Sequence, residues 1–235
     1  MNIIIIGGLL ILIFGAVCVI MICFGCSDYH CHAKPQLGQK KVACVGDSIT
    51  YGAMVRGWPW KNYPHVLGKL LGSEYHVENF GLSDRTLQST GNRPYCREKE
   101  YAVSLAYLPN IVIIKLGTND SKTANWRGRE AFKQEYQDFI KSYRNLPTNP
   151  RIYLCTPASA FAGKGATTGS YAFDIREQQL REIREVVNQI GEEQGLEVID
   201  IAGVTANHRE WFGADGIHPN ALGAENIAKH IAAYF

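Results

Sequence analysis

Residues 41–50 read Lys-Val-Ala-Cys-Val-Gly-Asp-Ser-Ile-Thr, an apolar run that ends on Gly46 and passes directly into Asp47, Ser48, Ile49 and Thr50. A short, nearly continuous apolar run is what a parallel strand needs when both of its faces are covered. Outward from it the pattern returns at Tyr75–Phe80, Ile111–Leu116, Ile152–Cys155 and Leu196–Ile201. Between these runs the apolar period changes from that of a strand to that of a helix. Tyr63, Val66, Leu67, Leu70 and Leu71 form one stripe, and Phe132, Tyr136, Phe139, Ile140 and Tyr143 a second. Leu180, Ile183, Val187 and Ile190 form a third, with Asp174 and Glu177 spaced as a capping box. Ala224, Ile227, Ala228, Ile231 and Phe235 form the last, just after Pro219-Asn220. Alternation of this kind predicts an α/β domain with a doubly wound parallel sheet over residues 41–235.

The chain has 235 residues, with 24 Lys and Arg against 22 Asp and Glu, a formal net charge of +2. The basic residues are scattered among acidic ones, which leaves no footprint for nucleic acid. Met1 to Ser27 carries no charged side chain. About 20 apolar residues suffice to cross a bilayer as a helix, so residues 1–26 are expected to be a membrane anchor or a signal segment. Cys26, after Phe24-Gly25, resembles a bacterial lipoprotein cleavage site, although Cys23 stands where that pattern prefers an aliphatic residue. An uncleaved span fits as well. The domain is then membrane-anchored or secreted, on the extracytoplasmic side; Lys34, Lys40 and Lys41 leave the orientation open.

Residues 27–40 are polar, contain Pro35 and Gly38, and read as a tether. Its His30-Cys31-His32 triplet has metal-ligating side chains, but an isolated cluster in a tether more commonly holds nothing. The seven cysteines form no disulfide framework. Cys18 and Cys23 fall in the apolar segment, Cys44 and Cys155 in expected buried strands, and Cys26, Cys31 and Cys96 in exposed positions.

In open α/β sheets ligands bind beyond the carboxyl ends of the strands. Three polar islands fall at that edge: Gly46-Asp47-Ser48-Ile49-Thr50, Gly117-Thr118-Asn119-Asp120 and Asp215-Gly216-Ile217-His218-Pro219. Gly81 ends the second run at the same edge. Ser48 is placed to open a helical turn, where it serves either as a cap or as a nucleophile. A serine hydroxyl needs a base, and the base a partner that fixes its tautomer. Asp215 and His218, three residues apart around Gly216, supply both. Ser48 N–H, Gly81 N–H and the Asn119 amide are candidate donors to an oxyanion; Asn119 taken alone reads first as a turn residue, since Gly-Thr-Asn-Asp is turn chemistry.

Gly-Asp-Ser-Ile-Thr, the Asn-Phe-Gly of 79–81, Gly-Thr-Asn-Asp and Asp-Gly-Ile-His-Pro resemble, in order, the four blocks of the SGNH (GDSL) hydrolase superfamily. The resemblance implies a three-layer flavodoxin-like fold. It implies Ser48 as nucleophile, His218 as base, Asp215 as its orienter, and Ser48, Gly81 and Asn119 as the oxyanion hole. It implies no metal or organic cofactor. Asn-Phe-Gly-Leu-Ser-Asp-Arg-Thr-Leu, Arg93-Pro94-Tyr95, and Ile113 to Lys122 with Asn125-Trp126 are similar to bacterial carbohydrate esterases often described as sialate O-acetylesterases. Asp84 departs from that pattern, which has Gly there. Arg85, Tyr95 and Trp126 are candidate substrate contacts just beyond strand ends, and residues 161–171 (FAGKGATTGSY) a candidate lid. Glu192 and Glu193 read as solvent-facing charge.

The expected activity is hydrolysis of short acyl esters, acetyl above all, on a small-molecule or glycan substrate. The same triad used on lipid acyl esters, as in a lysophospholipase or thioesterase, is the nearest rival. A catalytically silent carbohydrate-binding protein is a third reading. Oligomeric state is open.

Overall fold

A computed structural model describes residues 32–235; the apolar segment 1–26, the lipoprotein-like Cys26 and the start of the tether lie outside the described residues. Five strands, β1 (Lys40–Gly46), β2 (Tyr75–Gly81), β3 (Ile111–Lys115), β4 (Arg151–Cys155) and β5 (Glu197–Ile199), form one sheet in the order β2-β1-β3-β4-β5. Every pairing is parallel. Seven helices are described: α1 (Ser48–Tyr51), α2 (Tyr63–Leu71), α3 (Lys99–Ala106), α4 (Arg129–Arg144), α5 (Glu177–Gln194), α6 (Ile201–Thr205) and α7 (Ala221–Ala232).

Side chains alternate across each strand, so the apolar run of β1 feeds two cores. Ala43 and Val45, with Val112, Ile114 and Leu154, pack under the stripes of α4 and α5. Val42 and Cys44, with Ile113, Tyr153 and Cys155, pack under α2 and α7. All five stripe residues of α4 and all four of α5 are buried, whereas Leu70 of the α2 stripe is 47% exposed. Phe235 lies beyond the end of α7 and stacks on Tyr153 at 5.7 Å between ring centres.

Three local expectations are corrected, and one helix has no counterpart in the apolar pattern. The capping box before α5 does not form. Asp174 sits in the left-handed region at φ 58°, and its carboxylate accepts from Thr123 N–H at 3.0 Å, while Arg176 occupies the cap position without a side-chain cap. The fifth strand stops at Ile199, because the Asp200 carboxylate accepts from Gly203 N–H and starts α6. Helix α3 carried no apolar stripe to find, since its fully buried positions are Glu100 and Ser104. Finally, the tether joins the domain by His32, whose Nδ1 and Nε2 reach Glu78 (3.1 Å) and Glu100 (2.8 Å). Burial opposes charge on His32, but the hydrogen bonds to Glu100 and Glu78 outweigh it and raise its pKa to about 9.

Register brings the functional edge level. Gly46 at the end of β1 lies opposite Gly81 of β2 and Lys115 of β3. Helix α1 crosses directly over these ends. A Cβ on Gly81 would lie 2.2 Å from the Tyr51 nitrogen and 2.6 Å from the Thr50 carbonyl carbon. Gly81→Ala is therefore expected to destabilise the fold by about 1–3 kcal/mol through overpacking against backbone. The measurement is the urea midpoint at unchanged slope; a wild-type midpoint would mean that α1 can lift off β2.

Candidate active site

The N-terminus of α1 is built before any catalytic question arises. Asp47 caps it, its Oδ1 accepting from Ile49 N–H at 2.9 Å. That carboxylate is fully buried, and Lys115 Nζ, itself 2% exposed, meets Oδ1 at 3.0 Å and Oδ2 at 3.2 Å. Lys115 also donates to Thr118 Oγ1 at 3.1 Å, which ties the ion pair to the loop after β3. At the other end of α1, Asn79 Nδ2 donates to the Thr50 carbonyl at 2.9 Å. Ser48 is thus held from both sides and keeps 8% of its surface exposed.

Across the strand edge, Gly216 at φ 74° turns the loop that carries Asp215 and His218. A Cβ there would sit 2.1 Å from the Phe161 carbonyl oxygen, so both conformation and space require glycine. Asp215 Oδ1 accepts from the N–H groups of Ile217 (2.8 Å) and His218 (3.0 Å). Its Oδ2 lies 2.8 Å from His218 Nδ1, and His218 Nε2 lies 2.9 Å from Ser48 Oγ. A carboxylate can only accept, so Nδ1 carries the proton and the Nε2 lone pair faces the serine hydroxyl. Burial would raise the Asp215 pKa, yet the hydrogen bonds from the His218 ring and from the His218 and Ile217 amides hold it at about 2. The structure therefore joins Ser48, His218 and Asp215 in one line that can move a proton off a hydroxyl.

Of the other expected residues, Gly81 and Asn119 stand at this edge, whereas Tyr95, Arg85 and Trp126 are engaged in packing and loop contacts. The Gly81 N–H donates to Asn79 Oδ1 at 2.9 Å, and the Asn79 amide in turn staples α1. Asn119 is buried at the edge, and its amide donates one N–H to the Arg85 carbonyl at 3.1 Å. Tyr95 is fully buried, with its hydroxyl on the Phe80 carbonyl at 2.5 Å, and has no surface for a substrate. Arg85 is 6% exposed and holds Glu98 (3.0 Å) and the Ser83 carbonyl (2.7 Å). Trp126 packs as a partly buried side chain against the α4 core, with its ring 6.0 Å from Phe132. The 161–171 segment starts as a brace: Phe161 N–H donates to Gly216 (2.9 Å) and Lys164 N–H to Ala214 (2.8 Å).

Asp47, Lys115, Asn79 and Asp120 have supporting roles that the motifs alone did not assign. A lysine inside the apolar run Ile111–Leu116 was a legible signal, since a buried ammonium demands an anion. Asp120 is fully buried and accepts from Leu87 N–H (2.9 Å) and Gln88 N–H (2.8 Å), locking the loop after β2 to the loop after β3. Burial pushes its carboxyl up to about 7, although those two amides favour the charged form.

The profile of the GDSL-like lipase/acylhydrolase family matches residues 44–225. An acetylxylan esterase of Xylanibacter ruminicola is 35% identical over 211 residues, covering 82% of this chain and 42% of that protein. A multidomain esterase of Ruminococcus flavefaciens is 28% identical over 225 residues, covering 82% of this chain and 28% of that protein. The chain therefore spans less than half the length of either curated relative. The solved structure of the M. smegmatis aryl esterase has the same fold, with a TM-score of 0.68 at 23% identity over 83% of this chain and 97% of that one.

Two outcomes follow from the buried charges. Lys115→Met leaves Asp47 buried without a counter-ion and is expected to cost about 3–5 kcal/mol in urea unfolding, whereas a loss below about 1 kcal/mol would show the pair to be dispensable. Asp120 keeps its proton in the folded state up to about 7, while the unfolded chain releases it near pH ~4. Stability is thus greatest below pH ~4 for this group and falls as pH rises toward ~7. Relative to Asp120→Asn, the native protein should lose on the order of 2 kcal/mol between pH ~5 and ~7; parallel pH curves would refute the assignment.

Proposed function

Because the chain belongs to the GDSL-like lipase/acylhydrolase family, we propose that it is a serine esterase that removes acetyl groups from carbohydrate. The observation that carries the reading is the continuous line from Ser48 Oγ through His218 to Asp215, with contacts of 2.9 and 2.8 Å. Ser48 Oγ attacks the ester carbonyl as His218 Nε2 takes its proton. The tetrahedral oxyanion is held by the Ser48 N–H at the start of α1 and by the Asn119 amide. The Gly81 N–H, which also donates to Asn79 Oδ1 at 2.9 Å, is the third donor of that hole. His218 then protonates the departing sugar oxygen, and water repeats the sequence on the acyl-enzyme.

Support for a sugar leaving group comes from the acetylxylan esterase relative and from the resemblance of the loop blocks to carbohydrate esterases. A xylan-type backbone is the first substrate to try, with O-acetylated sialic acid the second. Residues 1–26 would hold the enzyme at a membrane or direct it outward, consistent with a polymer substrate outside the cytoplasm.

The test is acetate release from acetylated xylo-oligosaccharides and from O-acetylated sialic acids, with Ser48→Ala as the background. Turnover in that variant should fall by a factor on the order of 10⁴ or more with the fold retained. Wild-type turnover in Ser48→Ala would end the mechanism. A strong preference for octanoyl over acetyl esters of one alcohol would replace sugar by lipid.

A further inference from the structure

Between the brace at 161–164 and helix α5 the chain makes a tight strap. Thr167 and Ser170 bond each other at 2.9 and 3.1 Å, and Tyr171 N–H donates to the Ile175 carbonyl at 2.8 Å. Ala172 and Ile175 are buried against Ile217, the neighbour of His218. At the tip, Phe173 and Asp174 both adopt the left-handed conformation, at φ 61° and 58°. A bulky residue there is a conformational outlier, and each such residue costs on the order of 1–3 kcal/mol. The Asp174 carboxylate anchors the tip across the site on Thr123 N–H at 3.0 Å, in the loop after β3.

This strained geometry does not bury Phe173. It leaves the side chain 56% exposed and sets its ring edge-to-face on His218, with ring centres 5.5 Å apart at 73°. An exposed aromatic held by two anchors beside a general base is more than a filler of the core. Its place relative to the reaction is defined by the proton path. His218 must hand its proton to the oxygen of the departing alcohol, so that oxygen lies within hydrogen-bond reach of Nε2. A pyranose ring attached to that oxygen then comes within van der Waals reach of the ring packed on His218. The axial C–H face of a sugar is apolar and slightly positive, and the face of a phenyl ring is negative.

We propose that Phe173 is the leaving-group platform of this site, stacking the sugar ring whose ester is cleaved and so selecting carbohydrate over small alcohols. The inference rests on the carbohydrate esterase reading above and adds a specificity-determining residue to it. The strap supplies rigidity, so the platform is in place before substrate arrives and little ordering is lost on binding.

The experiment compares two acetates that share their acyl group: an acetylated xylo-oligosaccharide, and ethyl acetate, whose alcohol is too small to reach Phe173. Phe173→Ala should lower kcat/KM on the oligosaccharide at least about ten-fold, chiefly through KM, and leave ethyl acetate within about two-fold. Phe173→Trp should keep the oligosaccharide activity, since it restores an aromatic face. An equal loss on both acetates would make Phe173 a support for His218 and overturn the platform, as would no loss on either. If the native enzyme releases no acetate from any sugar while hydrolysing ethyl acetate, the carbohydrate reading fails first and the platform with it. If the native enzyme cleaves the oligosaccharide and Phe173→Ala does so equally well, the platform alone fails.

Discussion

The site stands on a buried ion pair. Asp47 and Lys115 are removed from water at the ends of the adjacent strands β1 and β3, and neither side chain is tolerable there without the other. Their pairing settles several things together. Asp47 is fixed as the cap of α1, which fixes where Ser48 projects. Lys115 is fixed against Thr118, which orients the loop carrying Asn119. The Ser48 hydroxyl and the Asn119 amide therefore share one electrostatic foundation, although 71 positions separate the two residues.

Around that foundation, backbone contacts do most of the positioning. Asn79 spans from β2 to α1, Asp120 joins two loops through backbone amides, and Phe161 and Lys164 clamp the turn that bears His218. Each anchor uses a polar side chain or peptide group fully engaged by hydrogen bonds, so the edge of the sheet is rigid where chemistry is expected. The aromatic strap follows the same logic, with Asp174 diverted from capping α5 to holding the tip in place.

How much of this is legible in residues alone depends on the kind of signal. The order of strands and helices follows from apolar period, and the buried runs at Val42–Gly46 and Ile111–Lys115 match observed strands because both faces are covered. The juxtaposition of Ser48, Asp215 and His218 follows from topology, since polar islands after parallel strands meet at one edge. Direction of individual side chains is another matter. Tyr95 and Arg85 lie in loops, where exposure is the ordinary expectation, yet the loop folds inward and Tyr95 finds the Phe80 carbonyl. The Asn79 side chain accepts from the Gly81 N–H while stapling α1, a contact that no motif spacing announces. The capping spacing of Asp174 and Glu177 is satisfied in sequence but defeated by a long-range contact to Thr123. Helix α3 buries polar residues, so no apolar stripe announces it.

Ser48 and His218 are separated by 170 positions, and the segment between them holds four of the five strands and five of the seven helices described. Contacts of that span close late, because the intervening loop entropy must be overcome before the pairing repays it. A chain in which the turn bearing His218 has not folded has Ser48 without the imidazole that faces it, and a serine hydroxyl with no base beside it is a weak nucleophile. On the proposed mechanism, Ser48 is thus chemically mute until that turn has docked on the sheet. Reactivity at Ser48 would report not the presence of the chain but the docking of the turn that carries His218.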